Sequence, residues 1–277
     1  MAYPLPLNRR ASVADHEIAW GAWGSEEHET LVLCHGFSGS ACDFEHLVPE
    51  LVALGIRVVL LEQRGHGRSD RTPEYSLELL ADDLAEALPQ VSVRPPTLLG
   101  HSLGGRVAMA VAADHPELLR SLVLMDTSAW SFRHPDPDLA ALLEAFMTAY
   151  EPADGLPDGL PAGPEEDLIV RSGDPDHLQA RRTMQRQFDP LALKQLGTEL
   201  FAGGYSFRDR LADISVPVTV IVGSLDEPFA SQAAELAALT RGNAVVIEGG
   251  YHSPQLTHAQ PWLTAVSSHL RTLDTLT

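Results

Sequence analysis

The segment Pro96-Thr97-Leu98-Leu99-Gly100-His101-Ser102-Leu103-Gly104-Gly105 constrains this chain more than any other. It reads as a short apolar strand, then Gly-x-Ser-x-Gly, then a helix opening Arg106-Val107-Ala108-Met109-Ala110. A strand reversing sharply into a helix thrusts the residue at the turn outward, and here that residue is a serine. Gly100 and Gly104 stand where a Cβ would clash as the chain doubles back. The motif by itself is weak, because three fixed small residues arise by chance in roughly one chain in ten of this length. Its surroundings decide whether Ser102 is a nucleophile or a turn residue.

Those surroundings alternate strand and helix. His16 to Trp23 alternates apolar with polar or small residues, as an antiparallel strand covered on one face does. Leu31–Cys34, Ile56–Leu61, Leu119–Met125 and Val218–Gly223 are continuous apolar runs, the signature of parallel strands buried on both faces. Helical spacing follows at Phe44–Leu54, from Ser76 through about Leu88, and after Ser102 as far as His115. The alternation predicts a parallel sheet flanked by helices. It breaks at Thr127. From Ser128 to Asp213 the pattern is helical but irregular, with Pro135, Pro137, Pro152, Pro157, Pro161 and Pro164 assigned to loops. Leu139, Leu142, Leu143, Phe146 and Met147 share one helical face, and His177 to Phe188 suggests a second helix. That stretch is too long for a connection, so a helical cap over the strand ends is expected. The stretch 153–166, rich in Pro, Gly and acid, is expected to be mobile. The sheet then resumes: strand 218–223, helix 231–240, strand 244–247 and a closing helix 262–273.

A serine hydroxyl is a weak nucleophile at neutral pH and needs a histidine base, itself oriented by a carboxylate. Ser102, Asp226 and His252 each lie just past the end of a different predicted strand, where an open parallel sheet gathers its functional side chains. Asp126 also ends a strand and competes with Asp226 for the acid. For the base, His258 and His35 compete with His252. Twelve histidines raise the question of a metal, but no His-Glu-x-x-His pair occurs, so no metal and no cofactor are expected.

With these residues in place the chain resembles the α/β-hydrolase superfamily, in its capped esterase, lactonase and C–C hydrolase branch. Four signatures carry the likeness: His35-Gly36-Phe37, Arg64-Gly65-His66-Gly67-Arg68-Ser69, Gly100-His101-Ser102-Leu103-Gly104-Gly105 and Gly250-Tyr251-His252-Ser253-Pro254. The order Ser102, Asp226, His252 is the superfamily's order of nucleophile, acid and base. Glu62 departs from the pattern, which commonly has Asp there. The resemblance implies an α/β fold with a mostly parallel central sheet and a helical cap inserted after the sixth strand. Residues 1–127 and 214–277 would form the core and 128–213 the cap. It implies catalysis by Ser102, His252 and Asp226, with the backbone N–H groups of Phe37 and Leu103 as the oxyanion hole. It also implies hydrolysis of a small or medium ester, a lactone or a related acyl substrate. Cleavage of a C–C bond in a vinylogous diketone, or cofactor-free perhydrolase (haloperoxidase-type) chemistry, would use the same triad. A small-molecule receptor on the same fold would not need it.

Trp130, Phe132 and Phe146 suggest an apolar substrate pocket, although such residues serve a cap's own core equally well. Arg181, Arg182 and Arg186 could meet a carboxylate but are expected to face water. The 277 residues carry 19 Lys and Arg against 38 Asp and Glu, a formal charge of −19. So acidic a surface repels nucleic acid and anionic membranes, which leaves a small acyl substrate as the expected partner of a monomer or homodimer. The two cysteines, Cys34 and Cys42, are too few for a disulfide framework. No charged-then-apolar leader is legible, and the expected location is cytoplasmic.

Overall fold

β2 (His16–Trp23) is the strand that departs from the sheet's parallel order, antiparallel to both of its neighbours. It forms a hairpin with β1 (Arg9–Val13), with Ala14 at the turn in the left-handed region at φ 45°. The sequence did not announce β1, since Arg-Arg-Ala-Ser-Val offers only two apolar side chains, Ala11 and Val13, to the core. The computed structural model describes residues 3–131, 136–156, 164–201, 204 and 206–274.

The strands that follow are β3 (Glu29–Cys34), β4 (Ile56–Leu61), β5 (Thr97–His101), β6 (Ser121–Met125), β7 (Val218–Gly223) and β8 (Asn243–Ile247). Of these, β3 to β7 were legible because burial on both faces removes any polar alternation, whereas β8 is largely exposed. Every residue of β4 to β7 is buried. Among the described residues the sheet has eight strands in the order β1-β2-β4-β3-β5-β6-β7-β8, parallel from β4 onward. It is the mostly parallel, helix-flanked α/β sheet that the strand–helix alternation predicts.

Alternate residues of each strand feed opposite layers. Val32, Val59, Leu98, Leu122 and Val220 join the layer of α2 (Leu77–Val91) and α3 (Leu103–Asp114), numbered after α1 (Val48–Ala53). Leu31, Leu33, Leu60, Leu99 and Val123 point to the other side, toward α1 and the C-terminal helix. There Trp262, fully buried, donates its indole N–H to Met125 Sδ at 2.9 Å.

Between β6 and β7 the chain leaves the sheet for four helices among the described residues: α4 (Pro137–Ala149), α5 (Pro164–Ser172), α6 (Pro175–Gln185) and α7 (Pro190–Phe201). All four begin on proline, whose fixed φ and missing N–H suit the first helical position. Pro137 and Pro164 are therefore helix starts, not loop markers, and 164–166 opens α5 with Glu165 and Glu166 at its positive end. After β7 come α8 (Phe229–Leu239), β8, the short α9 (Pro254–Thr257) and α10 (Ala259–Asp274). No helix among the described residues is long and apolar enough to cross a membrane.

β3 lies between β4 and β5, so the chain turns in opposite directions across the sheet on leaving β3 and on leaving β5. Loops leaving neighbouring strands in opposite directions open a crevice at their carboxyl ends. His35–Phe37 and Ser102 lie at that crevice.

Candidate active site

Ser102 sits at φ 52° and ψ −114°, a left-handed conformation rare for a residue with a side chain and worth about 1–3 kcal/mol of strain. The backbone around it holds that conformation. Its N–H donates to the Met125 carbonyl at 2.9 Å, and its own carbonyl accepts from Thr127 Oγ1 at 2.7 Å. The flanking glycines are steric necessities. A Cβ on Gly100 would lie 2.3 Å from the Gly104 carbonyl oxygen, and one on Gly104 would lie 2.5 Å from that of His35. Ser102 is thus the outward residue of a tight strand-to-helix turn, half-buried at the start of α3.

The loop after β3 packs directly on this turn: a Cβ on Gly36 would sit 3.2 Å from Ser102 Cβ. Its shape comes from His35, which is fully buried and held neutral chiefly by that burial. His35 Nδ1–H donates to the Gly36 carbonyl at 2.9 Å, and Nε2 accepts the Gln63 N–H at 3.1 Å. The N–H groups of Phe37 and Leu103 meet no acceptor among the described residues. The Phe37 ring stands edge-on to Phe188 (5.4 Å) and Phe201 (5.7 Å) of the helical insert.

Farther along, the same loop is tied to the insert. Asp43 accepts the Ser40 N–H at 3.2 Å and the Arg181 Nε–H of α6 at 2.7 Å, so Arg181 is a structural partner rather than a solvated side chain. Burial would raise the Asp43 carboxyl, but the Arg181 guanidinium holds it below the usual carboxylate range. Arg181→Ala would strand this buried carboxylate. With Ser40 still donating, the expected loss is about 3 kcal/mol, read as a lower urea midpoint at unchanged slope.

His252 lies in the loop between β8 and α9, and its Nδ1 is 2.8 Å from Asp226 Oδ2. The loops bearing the two residues interlock. Leu225 N–H donates to the Gly250 carbonyl at 2.8 Å, and a Cβ on Gly223 would lie 2.3 Å from the Tyr251 carbonyl oxygen. Burial works to lower the His252 pKa, but Asp226 and then Glu165 outweigh it, and the imidazole ends above its ordinary value. His101, next to Ser102, joins the two halves of the site. Burial pushes its pKa down to about 4, so the ring is neutral, and Nε2–H donates to the His252 carbonyl at 2.7 Å. His258 is not placed to compete for Asp226, as its Nδ1 is engaged with Thr257 Oγ1 at 2.9 Å.

Asp126, the rival acid, ends β6 fully buried and does not meet His252. Its Oδ1 accepts the Gly223 N–H at 2.8 Å, and its carboxyl faces that of Asp226. Glu62 takes three donors from Arg68, including Nη2 at 2.9 Å, and a Cβ on Gly67 would fall 2.4 Å from its carboxyl carbon. The extra methylene relative to Asp is therefore accommodated by Gly67.

The proposed substrate residues are less tightly placed. Trp130 is half-buried where the chain leaves β6, its carbonyl taken by Arg106 Nη2 at 2.7 Å. Phe146 stacks on Tyr150 (5.6 Å) within the insert, and Phe132 lies outside the described residues. Sequence inspection missed Glu165, a half-buried α5 carboxylate that accepts the Ser253 N–H beside His252. Its only local signal was a Pro-Glu-Glu-Asp helix start. Phe188 and Phe201, the partners of Phe37, carried no motif at all.

A sharp serine-bearing turn at the switch point of a parallel sheet, tied through His101 to a loop whose histidine pairs with a carboxylate, is the arrangement of a hydrolase built on an open α/β sheet. The chain belongs to the α/β-hydrolase fold family, whose model matches residues 29–259. Its relatives include the sn-1-specific diacylglycerol lipase of Mus musculus, 28% identical over 90% of this chain and 74% of that protein. The pimeloyl-[acyl-carrier protein] methyl ester esterase of Aeromonas hydrophila is 30% identical over 85% of this chain and 93% of its own length. A solved hydrolase from Pseudomonas aeruginosa superposes with a TM-score of 0.74 at 25% identity, covering 94% and 96% of the two chains. The protein is a serine hydrolase of the ester-cleaving class.

Proposed function

We propose that this enzyme cleaves a small or medium ester, lactone or related acyl substrate through an acyl-enzyme on Ser102. The observation that carries the reading is the 2.8 Å pairing of His252 Nδ1 with Asp226 Oδ2, in a loop fastened by His101 to the strained turn at Ser102. Asp226 keeps the imidazole proton on Nδ1, leaving the Nε2 lone pair to take the Ser102 hydroxyl proton. Oγ then bonds to the acyl carbon, and the carbonyl oxygen gains the negative charge met by the Phe37 and Leu103 N–H groups. Collapse of that intermediate breaks the bond to the leaving group, which takes the proton from His252. Water, activated by the same imidazole, releases the acid and restores Ser102.

The insert, residues 128–213, is proposed as the cap: Glu165 reaches the His252 loop, Arg181 the loop of Phe37, and Phe188 and Phe201 the Phe37 ring. Trp130 and Phe146 remain candidates for its acyl-binding wall. Relatives named for diacylglycerol and methyl ester cleavage favour an oxygen ester over a C–C bond. A panel of esters of graded acyl length, with lactones and ring-cleavage diketones, tests this. Turnover of the diketones in preference to every ester and lactone would overturn it.

The pH dependence has a definite sign. His252 must be neutral to act as base, and its pKa is held above the ordinary 6.5 despite burial. On the acid side, kcat/KM is expected to rise with pH through a midpoint above 6.5. A limb centred below that value would contradict the pairing with Asp226.

A further inference from the structure

Of the buried carboxyl groups that the mechanism does not use, Asp126 is the one beside the triad acid among the described residues. Asp126 is 1% exposed, and its backbone is fixed in the left-handed region at φ 44°, with its N–H on the Ile221 carbonyl at 2.9 Å. Oδ1 is satisfied by the Gly223 N–H. Oδ2 is buried and meets no N–H or hydroxyl donor among the described residues, because the group within hydrogen-bond reach is the Asp226 carboxyl. Two ionised carboxylates cannot face each other out of water without a donor between them, and one shared proton resolves the conflict.

We propose that Asp126 is a positioning residue for the triad acid: protonated at Oδ2, it donates a hydrogen bond to Asp226 and fixes the carboxylate that Asp226 presents to His252. The inference rests on the Ser102–His252–Asp226 reading. It yields a continuous series: Gly223 N–H to Asp126, Asp126 O–H to Asp226, and Asp226 to the His252 N–H. Burial first, and the Asp226 charge second, push the Asp126 carboxyl well above the usual range, against the Gly223 N–H. The other charged group facing it is Glu165 of α5, which acts in the same direction. The proton stays on Asp126 throughout turnover, so the pair carries one negative charge against the imidazolium rather than two.

Asparagine reproduces both hydrogen bonds of a protonated aspartate, with Oδ1 accepting from Gly223 and Nδ2–H donating to Asp226. It also tolerates positive φ better than most residues. The test therefore compares Asp126→Asn with Asp126→Ala in the full chain, using p-nitrophenyl butyrate from about pH 5 to about pH 9. Asp126→Asn is expected to keep kcat/KM within about threefold of wild type, with the acid limb unmoved, because no charge has changed. Asp126→Ala is expected to lose about tenfold or more in kcat at similar KM, the value of one charge-assisted hydrogen bond.

Infrared spectroscopy supplies an arm independent of activity and of the alanine variant's folding. A protonated-carboxyl band should persist in the wild type at about pH 8 and vanish in Asp126→Asn. An acid limb that falls in Asp126→Asn would show Asp126 ionised and overturn the proposal, as would absence of the band. So would an Asp126→Asn loss as large as that of Asp226→Ala, which would make Asp126 the acid itself. Activity surviving in Ser102→Ala would instead sink the triad reading, and the infrared arm would still decide whether the two carboxyls share a proton.

Discussion

Ser102→Ala is expected to lower hydrolysis of an activated ester by about 10⁴–10⁶-fold while leaving the thermal unfolding midpoint within a few degrees of wild type. The loss is large because the variant cannot form the acyl-enzyme, and the paired His252 and Asp226 then have no hydroxyl to activate. What remains is binding and the two N–H donors, which act on water attack alone. The fold should survive because the turn is held by backbone groups: Ser102 N–H on Met125, and its carbonyl on Thr127. Alanine tolerates φ 52° no worse than serine, and the close approaches at Gly100 and Gly104 are unchanged. A variant that unfolds would mean the hydroxyl itself stabilises the turn. Activity near wild type would remove Ser102 from the chemistry.

Asp226→Ala is the second large effect, with an expected fall in kcat of about 10⁴-fold. Without the carboxylate, His252 Nδ1 loses its acceptor, the imidazole is free to rotate or change tautomer, and the imidazolium formed in the transition state loses its paired counter-charge. Asp126 is not expected to step in, since its Oδ1 is anchored to the Gly223 N–H and its backbone N–H to the Ile221 carbonyl. The acid limb should also move to lower pH, because Asp226 is the chief group raising the His252 pKa. Retained activity with an unmoved limb would transfer the role elsewhere.

What was legible in the sequence follows from what local pattern can encode. Strands β3 to β7 announce themselves as unbroken apolar runs because both faces are covered. The turn at Ser102 is legible because close backbone approach admits only glycine at 100 and 104. β1 escaped because a strand on the sheet's edge needs only two inward side chains. In the insert, prolines carry two meanings: Pro137 and Pro164 could end a segment or begin a helix, and only the acids that follow them tip the balance.

The choice between Asp126 and Asp226 could not be made from strand ends alone, as both residues close a strand. The geometry separates them by what each carboxyl meets: an imidazole for Asp226, a backbone N–H and a second carboxyl for Asp126. Glu165 with Ser253, and Arg181 with Asp43, are pairs 88 and 138 residues apart, joined only in the folded chain. No periodicity reports such contacts.

The central claim is that Ser102 is a nucleophile activated by His252. Its most direct test is reaction with a fluorophosphonate followed by intact-mass measurement and peptide mapping. The account predicts one adduct per chain, on the peptide bearing Ser102, formed more slowly as pH falls below the His252 limb and absent from Ser102→Ala. An unlabelled protein, or an adduct on any other residue, would contradict it.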